Sequence, residues 1–520
     1  MERRLTIAVA AVVLIGGHLA TPSWADYSST PEAGGDAVVS TPLAPASSTM
    51  AAVPVEEPSP EKRKPEQKKP EKKKPPAYGP TFYDNHFEYL DDAAPDDIRL
   101  GDCWKRLRPC DCVLVDLGGE RRWRYHHEDN FRGSRLAGQD DEFMLGRTRL
   151  YADVHWGETW RVFAEAVDAT SSWEEFAPRN IEENRFDALN LFAEALLVDD
   201  GERALRARAG RQELLYGAQR LISPLDWANT RRTFDGAKLW STGKDWSLDG
   251  FWTRPVPFEQ HVNNDHNFDN PDQSREFGGA YFTSRHFVDH TVDAYYLRLA
   301  EFDATGTAAN PFDFDYHTLG GRCMSKWGAW LFEIEGGGQF GDAGDFDHIA
   351  GFLTLGAGHE WAEAKWKPVV WVYYDWASGD EDPTDGEHGT FNQLYPLGHK
   401  YFGYMDLVAR QNIRSLNILL TAEPCPKVKV QAWCYAFWLD ERRDSLYNAA
   451  GTPIRTSLTG AAGNEVGREI DLLLTLLPTE RTELTFGYSH FFAGDFIERT
   501  NPAGVSGDAD FFYTQATVRF

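Results

Sequence analysis

The sequence predicts an all-β protein: a transmembrane antiparallel β-barrel of about 18 strands behind a disordered N-terminal linker. Three observations predict this fold class: a secretory leader, many segments in which apolar and polar side chains alternate, and a last strand that ends on an aromatic residue. Aromatic residues form 13% of the chain, and they suit both pleated sheets and the interface girdles of membrane barrels. The 26% of charged residues is compatible with a barrel, because lumen-facing side chains are polar.

The N-terminus predicts export. Arg3 and Arg4 precede an apolar run from Leu5 to Gly17, and Ser23-Trp24-Ala25 has the small-x-small pattern of a cleavage site. The run is shorter than the roughly 20 residues that a membrane-spanning helix needs. We therefore assign residues 1–25 to a signal peptide and expect the mature barrel in the cell outer membrane.

Residues 26–79 form the linker, in which a Pro-, Ala-, Ser- and Thr-rich stretch leads into a Lys-Pro run. Proline spacing and like charges favour an extended, semi-rigid periplasmic spacer. A second interpretation is a basic tether that contacts an anionic cell-wall polymer or a membrane surface. The whole chain has 53 Lys and Arg against 80 Asp and Glu, and this acidic balance argues against a nucleic-acid partner.

Residues 80–112 form a pre-barrel segment that contains Cys103, Cys110 and Cys112. A local disulfide or free thiols are favoured over a zinc site, because the sequence has no CxxC pair. The sequence His126-His-Glu-Asp129 is interpreted as a solvated loop after the first strand rather than as a metal site. Acidic stretches such as 379–388 lack EF-hand spacing and are interpreted as solvated loops. We expect no cofactor and no metal.

Two-residue alternation is the main evidence for strands. Leu150 and Val154 share one face of a segment whose other face carries Arg147 and Arg149. Such a segment has one face for lipid and one for a wet lumen. The same pattern defines the strands of the barrel, assigned to residues 113–520: 113–125, 143–154, 159–169, 189–198, 204–214, 232–240, 245–254, 277–285, 289–300, 316–323, 327–337, 347–358, 363–376, 413–422, 427–438, 467–477, 481–492 and 509–520.

Connections of two very different lengths separate these segments. Short ones alternate with long ones at 255–276, 301–315, 377–412, 439–466 and 493–508. Short turns at one end and long loops at the other are typical of a barrel built from hairpins. The last segment places Phe512 and Phe520 on one face and Tyr513 and Arg519 on the other. An alternating strand with a terminal aromatic residue is similar to the C-terminal signature of bacterial outer-membrane proteins.

Four motifs resemble the alginate export porin family over roughly residues 112–520. They are Gly210-Arg-Gln-Glu-Leu-Leu-Tyr-Gly217, Asp226-Trp-Ala-Asn-Thr-Arg-Arg-Thr-Phe-Asp-Gly236, Gly487-Tyr-Ser-His-Phe-Phe-Ala-Gly-Asp495 and the closing Asp508–Phe520 segment. The resemblance implies a monomeric 18-stranded barrel that passes an anionic uronate polymer through an arginine-lined constriction. The Lys-Pro linker and the cysteine cluster fall outside that pattern.

Cations on the lumen face are the candidate solute contacts, because guanidinium pairs bidentately with carboxylates and stays charged. Each of them either contacts the solute or pairs with an inward acid, and residues 211, 231 and 232 either line the constriction or shape an inward-folded loop. The cation candidates are Arg122, Arg124, Arg147, Arg149, Arg161, Arg206, Arg208, Arg211, Arg231, Arg232, Lys365, Lys367, Lys427, Lys429 and Arg519. The inward acids are Asp116, Glu120, Asp153, Glu165, Glu194, Asp471 and Glu483.

The predicted function is an outer-membrane porin that passes an alginate-like polyuronate or its oligomers by passive diffusion, with membrane lipid as its surroundings. Two alternatives remain open: a general diffusion porin for small solutes, and a soluble exported β-rich protein that binds glycans. An enzyme is not expected, because no GxSxG, HExxH or P-loop motif occurs.

Overall fold

The computed structural model describes residues 77–91, 99, 101–132, 135–258, 268–304 and 312–520. The assigned signal peptide (1–25) and all but the last three residues of the assigned linker (26–79) lie outside this part of the chain.

Eighteen strands of the described chain form a closed antiparallel barrel. Each pairs with the next, and the last closes on the first, with Glu120 opposite Arg519 and Asp129 opposite Asp510. The strands are β1 Val113–Asp129, β2 Asp141–Trp156, β3 Trp160–Ser172, β4 Asn184–Asp199, β5 Ala204–Gln212, β6 Thr233–Thr242, β7 Trp246–Val256, β8 Arg275–Ser284, β9 His290–Glu301, β10 Phe314–Trp327, β11 Trp330–Ala343, β12 Phe346–Glu360, β13 Val369–Ala377, β14 Ile413–Cys425, β15 Val428–Leu439, β16 Glu465–Thr479, β17 Thr482–Ala493 and β18 Ala509–Arg519. The predicted fold class and strand number are confirmed.

The exterior of the barrel carries the apolar face predicted from alternation. Leu150 is 52% exposed, whereas Arg147 and Arg149 on the same strand are buried inside. Exposed Ile418 and Leu472 lie on β14 and β16, on the other side of the barrel. Such a surface needs lipid around it, and the alternative of a soluble glycan-binding protein is therefore wrong. No helix of the described chain is both long enough and apolar enough to span a membrane.

The two ends of the barrel differ as the loop lengths predict. Two-residue turns join β10 to β11 and β14 to β15 at one end, where β1 begins and β18 ends. In the first of these, Gly328 adopts a φ of 60°, which glycine accepts without a Cβ clash. The opposite end carries the long connections, of which 213–232 and 378–412 are folded back between the walls of the barrel. We call the ends the short-turn end and the long-loop end.

Two local assignments made from sequence are wrong. Lys365 and Lys367 lie in an exposed turn at 361–368 and not on an inward strand face, because this turn closes on itself through the amide of Trp361 and the carbonyl of Pro368, 3.0 Å apart. β13 therefore begins only at Val369. The sequence His126-His-Glu-Asp129 is not a solvated loop, because β1 continues to Asp129 and pairs there with β18.

The two inward loops fill much of the lumen and are joined to each other. We call residues 213–232 the first lumen loop and residues 378–412 the second lumen loop. Ile222 bridges to Tyr395, and the indole of Trp227 stacks on His399 with ring centroids 3.5 Å apart. Both loops pack against inward aromatic residues of the wall, such as Phe277 on β8. The expectation of a wet lumen face thus fails along much of β6–β18, where loops cover the wall.

Shorter elements complete the fold. A strand at Leu107–Cys110 pairs antiparallel with the start of β1, and the hairpin Ser445–Tyr447/Pro453–Thr456 and the helix α1 (Asp495–Thr500) lie in long loops. The 3₁₀ turns are Phe82–Asp84, Glu88–Asp91, Asp102–Trp104 and Gly398–Lys400, and Glu387–His388 pairs in parallel with β12. Cys103, Cys110 and Cys112 are free thiols, with the sulfurs of the last two 3.2 Å apart.

Candidate functional site

Arginines are concentrated on the inner wall of β1–β5. Alternation alone puts them there, because residues two apart on a strand share a face. Most are buried, although the lumen of a barrel is where water is expected, and the loops and the chain N-terminal to β1 cover them. The inward arginines of these strands are Arg122, Arg124, Arg147, Arg149, Arg161, Arg206 and Arg208.

Three of them, the loop-bound arginines Arg122, Arg124 and Arg147, hold the first lumen loop. Arg122 donates to the carbonyl oxygen of Asp226 at 2.8 Å, and Arg124 donates to that of Trp227 at 2.8 Å. Arg147 donates to the carbonyl oxygen of Asp226 at 3.2 Å. Carbonyl oxygens in a loop lack the regular hydrogen-bond partners of a strand, and these guanidinium groups supply the missing donors.

Two carboxylates offset part of the charge of these arginines. Arg147 lies 2.7 Å from Glu120 and 2.9 Å from Asp226, and Asp226 also forms an ion pair with Arg231. Burial raises the pKa of Asp226, but Arg231 and Arg147 outweigh it and hold this pKa well below its usual range. Asp226 is therefore ionised and binds the loop to the wall through charge-assisted hydrogen bonds.

The segment-bound arginines Arg149, Arg161 and Arg208 lie closer to the short-turn end. Each uses the edge of its guanidinium on an inward acid of the same wall, so the acids predicted to face inward do so. Arg149 lies 2.6 Å from Glu165, and Arg208 lies 2.8 Å from Glu194. Arg161 donates to both oxygens of Asp153, at 2.8 and 2.7 Å.

The chain that precedes β1 contacts all three arginines, and Arg208 is also covered by Phe192 of β4, whose ring lies 4.0 Å from its guanidinium carbon. The ring of Phe82 lies 3.9 Å from the guanidinium carbon of Arg149, and the ring of Tyr83 lies 4.5 Å from that of Arg208. Arg161 donates to the carbonyl oxygen of Tyr83 at 2.6 Å. We call residues 77–91 the N-terminal segment.

Three further candidates have different environments. Arg206 faces the lumen near the short-turn end of β5 and forms no hydrogen bond or ion pair with any residue that the structure describes. Arg211 is held by Asp235 at 2.8 Å and by the carbonyl oxygen of Asp269 at 2.6 Å. Arg232 donates to the carbonyl oxygen of Ser223 at 3.2 Å, and burial lowers its pKa to about 10.

The remaining candidates lie on the opposite part of the rim or bind β1. Lys427 lies in the turn before β15 and donates to the carbonyl oxygen of Pro478 at 3.1 Å, so it is a rim residue rather than an inward strand residue. Lys429 lies on β15, with its ammonium 3.7 Å from Glu423. Arg519 at the end of β18 donates to Glu120 at 3.3 Å.

A small cavity lies between the lumen loops and the wall, next to the loop-bound arginines. Arg124, His126, Trp227, Tyr404, Asp406 and Phe511 line it. The guanidinium carbon of Arg124 lies 3.7 Å from the ring of Trp227, whose other face carries His399. Within the described residues, no group of three or more His, Cys, Asp and Glu side chains could hold a metal ion.

Comparison with known proteins agrees with this architecture. A family model described as "Alginate export" matches residues 113–507, which is most of the chain and all of the barrel up to the last loop. The chain belongs to the alginate export family. No curated protein sequence matches it.

Solved structures share the fold of this family member at low identity. OccAB1 of Acinetobacter baumannii superposes with a TM-score of 0.52 at 11% identity, covering 78% of this chain and 96% of that one. OccK8 (OprE) of Pseudomonas aeruginosa gives 0.50 at 13% identity, covering 78% and 98%. OccD3 (OpdP) of the same organism gives 0.50 at 11%, covering 78% and 91%.

The alginate export family member is thus an outer-membrane porin. Its short-turn end, with both ends of the barrel chain, faces the periplasm, and its long-loop end is extracellular. The N-terminal segment consequently lies at the periplasmic mouth, and the lumen loops enter from the cell surface.

Sequence reasoning missed two groups of lumen residues in this family member. Phe82 and Tyr83 lie outside the repeated alternation, and nothing in a single sequence places them against Arg149 and Arg208. Arg220 of the first lumen loop, which lies 2.8 Å from both Glu333 and Glu335 on β11, was also missed. The one available signal was the family-like motif that ends at Gly217, since an inward loop was among its interpretations.

Proposed function

We propose that this porin passes an anionic polysaccharide, an alginate-like polyuronate or its oligomers, by passive diffusion. The observation that carries the proposal is the concentration of inward arginines on one wall, from Arg124 near the extracellular side to Arg206 near the periplasmic side. A polyuronate carries one carboxylate on each sugar, so a row of guanidinium groups along the path offers successive binding positions.

The acids on the wall restrict where a polyuronate can bind in the lumen. Most of the acids that face inward on β1–β5 lie within hydrogen-bonding or ion-pair distance of a guanidinium group, as Glu165 does with Arg149, whereas Asp116 accepts from the backbone amide of Arg106. A carboxylate on the solute would share these guanidinium groups with the internal acids, because each guanidinium has five N–H donors. Replacing an internal acid outright would leave that acid buried without its partner. A row of such shared contacts suits transport better than one tight site, since the solute must also leave.

The acceptors on the loop-bound arginines are weaker competitors than carboxylates. Arg122 and Arg124 bind neutral carbonyl oxygens of the first lumen loop, whereas a carboxylate brings a full opposite charge and can bind a guanidinium bidentately. A uronate carboxylate that reaches them can therefore replace the loop carbonyls. Movement of the loop would widen the path on the extracellular side.

A narrower alternative is a porin for small organic anions. It is supported by the two lumen loops, which fill much of the lumen and border a small cavity beside Arg124. Solute length separates the two proposals: a polymer path is blocked more strongly by longer uronate oligomers, whereas a small-anion path is blocked equally by the monomer.

Planar-bilayer recording of the purified full chain tests the proposal. Under a salt gradient, we expect a reversal potential that reports anion preference, and a block by mannuronate oligomers that strengthens with length. A neutral glucose oligomer of equal length is the solute control. Cation preference, or equal block by both oligomers, would contradict the proposal.

A matched pair of variants locates the effect. Arg208→Gln removes a lumen guanidinium, whereas Arg203→Gln removes one from the exposed periplasmic turn after β4, where it pairs only with nearby Asp200. We expect weaker anion preference and weaker uronate block for the first and unchanged values for the second. Equal anion preference and equal uronate block in the two variants would show that the function does not depend on the arginine wall.

A further inference from the structure

The N-terminal segment fills the periplasmic mouth of the barrel. Phe82 and Phe87 are almost fully buried, and with Tyr83 they form an apolar cluster with Tyr151, Phe163 and Phe192 of β2, β3 and β4. The rings of Tyr83 and Phe192 are 5.5 Å apart at a steep angle, the edge-to-face arrangement that aromatic pairs prefer. The segment is thus packed inside the lumen and does not lie on its rim.

Hydrogen bonds fix the segment at its inner end. Tyr83 donates through its hydroxyl to the carbonyl oxygen of Glu213, at 2.8 Å, and Arg231 donates to the carbonyl oxygen of Pro80, at 3.3 Å. Burial raises the pKa of Tyr83, which keeps this donor protonated. Both partners belong to the first lumen loop, so the segment and the loop meet inside the barrel.

The outer end of the segment reaches a distant part of the rim. The guanidinium carbon of Arg481, in the turn between β16 and β17, lies 5.8 Å from the ring of Tyr78. Arg481 also pairs with Asp102 of the chain that leads into β1. From this turn to Arg208 on β5 the segment crosses the mouth beneath seven of the eighteen strands, β17, β18 and β1–β5.

The chemistry of the segment is that of the proposed solute. It contains Asp84, Glu88 and Asp91 but neither Lys nor Arg, and it presents flat rings and a carbonyl oxygen to guanidinium groups. An acidic sugar likewise offers carboxylates, oxygen acceptors and an apolar ring face. Arg149 and Arg208 use their edges on internal acids. Phe82 covers a face of Arg149, and Arg208 contacts Tyr83 of the segment as well as Phe192 of the wall, so the places of Phe82 and Tyr83 are where a sugar ring would lie.

From these contacts we propose that residues 77–91 are a built-in plug that occupies the solute's place on Arg149, Arg161 and Arg208 and is displaced by the anionic polysaccharide. This inference rests on the proposed function for the identity of the displacing solute. The closure itself rests only on the packing of the segment in the mouth.

Conductance in simple salt tests the closure without any sugar. Phe82→Ala/Tyr83→Ala removes the two rings that cover Arg149 and Arg208, and deletion of residues 77–91 removes the plug entirely. We expect the open fraction in planar bilayers to rise at least about tenfold, the factor equivalent to 1.4 kcal/mol. The heat-induced gel shift of a folded barrel verifies that each variant has folded.

His86→Ala is the matched control. His86 lies within the same segment, but its side chain is 48% exposed and its nearest charged partner is Glu88, 3.9 Å away. Its conductance should equal that of the unaltered chain. Equal conductance of the double variant, the deletion and this control would overturn the plug.

Proteolysis tests displacement by the solute. Chymotrypsin cleaves after aromatic residues, and Phe82 and Tyr83 are protected by burial while the plug is seated. Mannuronate oligomers should speed cleavage at these two bonds at least about threefold, whereas a neutral glucose oligomer should not. Failure of both oligomers to change the rate would overturn solute displacement.

The two proposals fail separately. A deletion variant that conducts strongly but prefers cations would refute the polyuronate function and leave the closure standing. A deletion variant with the conductance of the unaltered chain and intact anion preference would refute the plug and leave the function standing.

Discussion

The loop-bound and the segment-bound arginines lie on the same wall, yet they are covered in different ways. Arg122, Arg124 and Arg147 donate hydrogen bonds to carbonyl oxygens of the first lumen loop. Arg149 and Arg208 instead direct their edges at acids of the wall and present their faces to two rings.

This difference determines the free energy needed to expose the arginines of each group. Moving the first lumen loop leaves buried guanidinium groups and carbonyl oxygens without partners, and each such group costs about 1–3 kcal/mol. Moving the N-terminal segment breaks ring contacts of about 0.5–2 kcal/mol each. It also breaks the hydrogen bonds of Tyr83 and Pro80 with Arg161, Glu213 and Arg231. The ion pairs of Arg149, Arg161 and Arg208 with acids of the wall stay intact. The periplasmic side can therefore open without separating a wall carboxylate from its arginine.

The largest expected effect is that of Arg147→Met. Arg147 is 1% exposed and joins the buried Glu120 to Asp226 of the first lumen loop, so its loss removes the closest guanidinium from Glu120 and cuts the link between wall and loop. Arg519 remains 3.3 Å from Glu120, and Arg231 remains paired with Asp226. We expect the free energy of unfolding to fall by about 3 kcal/mol, the lower end of the usual cost of breaking a buried pair. Urea unfolding in detergent micelles measures it, with Arg203→Met in the exposed periplasmic turn as the control. A loss below about 1 kcal/mol would show that the loop is not held by charge.

Arg208→Met should cost less. Glu194 would lose its partner at 2.8 Å, but Arg161 remains 4.0 Å away, and the methionine chain still packs against Tyr83. We expect a loss of about 1–2 kcal/mol in the same assay. A loss equal to that of Arg147→Met would erase the distinction between the two groups.

Acidification should loosen the loop side and not the segment side. His399 stacks on Trp227, with its Nδ1 3.2 Å from a carboxylate oxygen of Asp406. Burial lowers the pKa of His399, and Asp406 offsets this only in part. As the pH falls below the ordinary value of about 6.5, the unfolded chain binds a proton that the folded loop refuses, so stability falls by at most about 1.4 kcal/mol per pH unit. Unfolding between pH 7 and 5 should show a smaller slope for His399→Phe than for the unaltered chain. Parallel slopes would rule out His399 as the titrating group.

The smallest effect belongs to Arg206→Gln. Arg206 has no hydrogen bond or ion pair with the described part of the chain, and changes at such positions stay within about 0.5 kcal/mol. We expect unchanged unfolding but a measurably weaker anion preference in bilayers, because an unpaired lumen cation acts directly on passing anions. Unaltered selectivity would place Arg206 outside the ion path.

Much of the fold could be predicted from periodicity, and less of the site. Alternation placed Arg147 and Arg149 inside and Leu150 outside, as the structure has them. It failed at Lys365 and Lys367, because a charged turn that closes through Trp361 and Pro368 has the same residue types as a strand end. It also could not identify Phe82 or Tyr83, because residues before the first strand show no two-residue alternation.

What the sequence determined by itself is local: the strands, their two faces, the number of hairpins and the lengths of the connections, because side-chain periodicity follows directly from backbone geometry. What only the tertiary structure decided is which groups cover the arginines. That choice depends on contacts between residues far apart in the chain, such as Tyr83 with Arg208 and Trp227 with His399, and no local pattern records them. The inward arginines can be predicted from one strand at a time, whereas the closure of the barrel mouth depends on the assembled barrel of eighteen strands.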